Sequence, residues 1–126
     1  MIASEAKIVH VERHFGVRFP DDYRAFLLTR GGMDEFVQPA STYVVIHAID
    51  ELISINEAGC VQERFPHAIV IGSNGSREML TYDFRSAEPP LALLDITAED
   101  WSAALYQAPS LTTLLAQLPE RGWLFG

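Results

Sequence analysis

IVHVERHFGVRFPDDYRAFLLTRGG, residues 8–32, decides how the chain is read. Ile8, Val11 and Phe15 recur at the spacing of one helical stripe. Gly16 breaks that helix. Pro20 sets the chain just ahead of a second helix, which Asp21 or Asp22 is expected to cap through its side-chain oxygen. Tyr23, Phe26 and Leu27 continue an apolar face. Gly31 and Gly32 then stop it, because glycine accepts the left-handed conformation that follows a C-cap. The stretch therefore predicts helix, tight turn, helix and stop.

Downstream, the pattern changes to strands. Thr42 to His47 is β-branched and aromatic, which favours extended structure. Asp50 is expected to cap a short helix holding Leu52, Ile53 and Ile55 and ending near Gly59. Ala68 to Gly72 reads as a strand. Ser73-Asn74-Gly75-Ser76 signals a type I′ hairpin, since Asn-Gly suits two positive φ angles. The returning strand alternates, with Leu80, Tyr82 and Phe84 on one face and Met79, Thr81 and Asp83 on the other. Leu91 to Ile96 reads as another strand after Pro89-Pro90. A turn or helix near Thr97 holds Trp101 and Leu105. Pro109 to Leu118 reads as a closing amphipathic helix that stops before Pro119. The fold class is α+β, with helices at both ends of a mostly antiparallel sheet.

At 126 residues, the length predicts a single domain over positions 1–126. An apolar content of 48% is enough to fill one core. No apolar run approaches a membrane span, and the N-terminus lacks the pattern of a secretory signal. Cys60 is the sole cysteine, which excludes an internal disulfide and suits a reducing, cytoplasmic setting. It reads as a small buried or half-buried side chain. Net charge is −8, from 17 acidic and 9 basic residues, and Lys7 is the one lysine. That balance opposes binding to nucleic acid, which needs clustered cations, and to anionic membrane surfaces. It favours a basic protein partner.

No catalytic set is visible. His10 and His14 lie four apart on the first helix, but they face away from its apolar stripe and lack a third ligand. Glu12, between them, does not make the His-Glu-x-x-His arrangement of zinc proteases. The Gly72–Ser76 stretch lacks the Lys-Ser/Thr ending of a phosphate loop. No Gly-x-Ser-x-Gly elbow supports a serine nucleophile. No metal or cofactor is expected.

Acid pairs at Asp21-Asp22, Asp50-Glu51 and Glu99-Asp100 precede expected helices, where carboxylates complement free amides. Asp34 and Glu35 do not; they fall in an expected loop running to Pro39. Glu57, Glu63 and Glu88 also lack a capping role. These five are candidates for an acidic contact surface. Trp123, in an apolar tail with Leu124 and Phe125, either docks onto the domain as an edge segment or anchors an interface.

The ordered motifs resemble the SUKH superfamily, the group of the Smi/Knr cell-wall regulators and of many bacterial immunity proteins. Its opening pattern is matched by Glu12, Gly16, Phe19-Pro20, Asp22-Tyr23, Phe26-Leu27 and Gly31-Gly32. Arg30 stands where the family usually has asparagine. Ile71-Gly72, Asn74-Gly75 and Tyr82-Asp83-Phe84 are similar to its central hairpin, and Ala108 to Leu115 to its closing helix. The resemblance implies a non-catalytic protein-binding domain. Its first expectation is an immunity protein that neutralises a cognate toxin, such as a basic nuclease. Its alternative is a regulatory adaptor of the cell-wall-regulator type.

Overall fold

Ser4 starts the first helix: its hydroxyl accepts the Lys7 amide at 3.2 Å, which satisfies one of the free donors of the first turn. In the computed structural model, which describes residues 2–125, α1 spans Glu5–Phe15 and ends at Gly16. Ile8 and Val11 are buried, Phe15 is partly buried, and His10 and His14 are exposed, as the stripe requires. α2 spans Asp21–Thr29 and buries Tyr23, Phe26 and Leu27.

Glu12 joins these helices. It is 7% exposed, on the same face as Ile8 one turn earlier. Its carboxylate accepts the Phe19 amide at 2.7 Å, and the Arg24 guanidinium at 3.0 and 3.1 Å. Arg24 also reaches Glu5. A two-pronged arginine–carboxylate contact fixes orientation as well as distance.

The remainder is a six-stranded antiparallel meander in the order β1-β2-β3-β4-β5-β6. The strands are β1 Met33–Val37, β2 Thr42–Ile46, β3 Ala68–Ser73, β4 Glu78–Asp83, β5 Leu91–Asp95 and β6 Leu105–Ala108. α3 (Leu52–Ala58) and α4 (Val61–Arg64) lie between β2 and β3, and α5 (Leu111–Arg121) follows β6. One face of the sheet, with Val44, Ile71, Leu80, Tyr82 and Leu93, shares its core with Ile8, Tyr23, Leu27, Leu114 and Leu118 of α1, α2 and α5. The other face buries Val70 and Leu94 against Val61 and Phe65. The alternation expected along β4 holds, with Leu80 and Tyr82 in the first core and Met79 packed on the second.

β2 pairs with β3 at Gly72 and Ser73, and just past β2 the His47 amide donates to the Ile71 carbonyl at 2.8 Å. There the two backbones come so close that a Cβ on Gly72 would lie 2.0 Å from the Val45 carbonyl oxygen. Beyond that crossing, buried Asn56 of α3 substitutes for a strand. Its carboxamide accepts the Val70 amide at 2.9 Å and donates to the Val70 carbonyl at 3.0 Å. Gln62 donates to the Ala68 carbonyl at 2.7 Å. The sheet can thus diverge while its buried peptide groups stay paired.

Several local expectations are corrected. Met33–Val37 is a strand, not a loop, and Leu105–Ala108 is also a strand. Asp22 does not cap its own helix; it accepts the Thr112 amide and hydroxyl, both at 2.9 Å, at the start of α5. Asp50 sits inside a 3-10 turn, Ile49–Glu51, and pairs with Lys7 at 3.2 Å. The β3–β4 link is not type I′, because Gly75 takes a positive φ of 78° and Asn74 does not. The Asn74 side chain instead accepts the Ser76 and Glu78 amides. α5 runs through Pro119 to Arg121, its last turn held by the Gly122 amide on the Leu118 carbonyl at 3.0 Å. Cys60 is exposed rather than buried, opening α4 with a φ of 47°.

Removing Glu12 leaves Arg24 buried without its main counter-charge and the Phe19 amide without an acceptor. Glu12→Ala is expected to cost about 3–5 kcal/mol of stability, measured as a lower urea midpoint at unchanged slope. A loss below about 1 kcal/mol would show that the pair behaves like an exposed one.

Candidate functional site

β1 and β2 form a hairpin in continuous register from Met33↔Ile46 to Val37↔Thr42. Period-two alternation divides it into two faces. Met33 and Val37 turn inward and pack against the core. Glu35, between them, pairs with Arg30 at the end of α2 at 2.9 Å. On the other face, Phe36 is 60% exposed and meets Tyr43 edge to face, with ring centroids 4.8 Å apart. The Tyr43 hydroxyl donates to the Asp34 carboxylate. Tyr43 lies so close over the β3–β4 turn that a Cβ on Gly75 would fall 2.1 Å from its ring. The hairpin thus presents an aromatic pair with Asp34 on one face and the Glu35 carboxylate on the other.

Next to it, Gly32, Asp34, Val45, His47 and Glu51 line a shallow cleft. Burial lowers the pKa of His47, and the nearby charges of Glu51 and Asp34 oppose that shift without reversing it.

Of the expected contact residues, Asp34, Glu35 and Trp123 come to this hairpin. The Trp123 indole donates to the Tyr43 carbonyl at 3.0 Å and packs against the core, so the tail docks onto the domain. Glu57 and Glu63 are exposed on α3 and α4. Glu88 is exposed in the β4–β5 loop, beside Arg18 and Asp21 in a separate cleft. These three do not join Asp34 and Glu35.

Sequence reasoning missed Phe36, Tyr43 and His47 as surface partners of the acids. A signal was present: Met33 and Val37 bracket Glu35 at strand period. It also missed a cluster at the other end of the sheet. There, Asp83 is buried and accepts Arg85 at 3.0 and 2.9 Å and the Tyr106 hydroxyl at 2.6 Å. Arg85 stacks over Trp101, 4.3 Å from the ring centroid. Burial pushes the Asp83 pKa up, but its bonds to Arg85 and Tyr106 outweigh that and leave it lowered. Its partners are therefore internal.

Among the described residues, no three His, Cys, Asp or Glu side chains are placed to hold a metal ion. No helix among them is long and apolar enough to cross a membrane. The sequence profile of the SMI1 / KNR4 family (SUKH-1) matches residues 2–117. No curated protein matches the chain.

The depressed His47 pKa gives a signed prediction. The unfolded chain binds this proton more readily than the folded one, so stability rises with pH across the interval between the two pKa values. On acidification, His47 therefore withdraws stability from about pH 6.5 downward, until the folded imidazole also protonates. Urea midpoints across this range should fall less steeply in His47→Gln. An unchanged slope would contradict the assignment.

Proposed function

The chain belongs to the SMI1 / KNR4 family (SUKH-1), and from that premise we propose that it acts as a bacterial immunity protein. It works in the cytoplasm as one domain, binding a cognate toxin and covering the toxin's active site or a surface the toxin needs. Members of this family typically bind partner proteins, and the role requires no chemistry of the chain's own.

The observation that carries the reading is the family match together with the β1–β2 hairpin. Exposed aromatic side chains are enriched among interface residues that dominate binding energy. Phe36 offers one on a paired strand, with Asp34 on its own face and Glu35 on the other. The overall charge of −8 steers a cationic partner toward the chain and speeds encounter at low salt. A basic nuclease has such a surface, because its substrate is a polyanion.

The test is co-expression with a candidate effector toxin, sought first among the genes adjacent to this one. Wild-type protein is expected to restore colony formation to cells producing the effector, and to co-purify with it. Killing that continues at equal expression of both proteins would overturn the proposal. A stable complex with a non-toxic regulatory protein would move the role to an adaptor.

A further inference from the structure

The two ends of the sheet are finished differently. At β6, the C-terminal segment closes the edge. The Gln107 side chain accepts the Leu124 amide at 2.8 Å and donates to the Leu124 carbonyl at 2.6 Å. Arg121 donates to the Gln107 carbonyl at 2.7 Å. Where β3 diverges from β2, Asn56 and Gln62 take the exposed peptide groups. Among the described residues, none gives β1 comparable cover and no strand pairs with its outer side.

Edge strands that must stay free usually carry a lysine, a proline, a bulge or an inward charge. Met33–Val37 contains no lysine or proline, and its pairing with β2 runs without a register shift. It leaves about 17 Å of open peptide edge. The guards it has are the carboxylates of Asp34 and Glu35, one on each face, and these discriminate by sign. In the antiparallel register that would pair all five residues of two copies, Glu35 would face Glu35. A one-residue slip would set Asp34 against Glu35. Like charges directly opposed destabilise a strand pair, so a second copy is disfavoured. An incoming strand with adjacent cationic residues presents one to each carboxylate. The Arg30–Glu35 pair is half exposed, and such pairs contribute little, so an incoming cation can share or replace it.

We infer that the partner docks by strand addition, laying an extended cationic segment along the outer edge of β1. This rests on the protein-binding reading above and specifies its geometry. Main-chain hydrogen bonds supply general affinity, and the two carboxylates select the charge of the incoming strand. Phe36, on the face of Asp34, packs on the incoming strand's apolar side chains.

The test uses a defined probe, acetyl-Thr-Val-Lys-Lys-Val-Thr-amide, and its Glu-Glu counterpart, titrated into the full chain by amide NMR. The lysine peptide is expected to shift the resonances of residues 33–37. It should be preferred by about tenfold or more at low ionic strength, with the preference shrinking toward unity near 0.5 M salt. In an Asp34→Lys/Glu35→Lys protein with an unchanged unfolding midpoint, the preference should invert. Shifts centred on another element, equal response to both peptides, or an unaltered preference in the reversed protein would overturn the inference. So would dimerisation through β1. The peptides report on β1 alone. If they fail while cells remain protected, only the docking mode is lost; if they succeed without protection, only the immunity role is lost.

Discussion

A single buried carboxylate holds the helical layer together. Glu12 binds the backbone of the turn after α1 through the Phe19 amide, and the side chain of α2 through Arg24. A charge taken out of water is costly unless its partners are fully made, so these contacts permit one crossing of α1 and α2. That crossing carries Phe19 and Tyr23 into edge-to-face contact at 5.0 Å and sets Tyr23 against Tyr82 of β4 at 5.5 Å. It also places Asp22 over the first turn of α5. Helix pair, sheet and closing helix are thereby tied through one joint.

The sheet follows a similar economy of backbone partners. Gly72 lets β2 and β3 cross closely at one end, and Asn56 with Gln62 completes β3 where they part. Gln107 and the C-terminal segment complete β6. Each arrangement answers the need to pair buried peptide groups. The outer side of β1 stands outside this scheme. The proposed docking site lies there, because the strand is paired with β2 on one side while its other side stays open to a partner.

The helix pair was legible because its signals agree: an apolar stripe, a proline at the second start and a glycine at each stop. The central strands were legible from β-branched runs. β1 was not, because two carboxylates interrupt its apolar alternation, and Gly31-Gly32 and Pro39 frame it like a loop. β6 is four residues long with Tyr and Gln at its centre, too short for periodicity to register. Glu12 falls one turn from Ile8 on the apolar side, a signal the sequence reading passed over, and its partner Arg24 lies twelve residues on and is specified by the turn geometry. Asp34 and Glu35 were singled out because they have no helix to cap. Their neighbours Phe36 and Tyr43 become neighbours only through cross-strand register, which no local pattern contains.

Hydrogen exchange of the chain, free and bound to an effector it is found to neutralise, tests the proposed docking most directly. The account predicts that protection gained on binding concentrates in residues 33–37, with the β3–β5 centre of the sheet already slow in both states. Protection confined to α3–α4 or to the Arg85–Trp101 end, with β1 still exchanging freely in the complex, would contradict it.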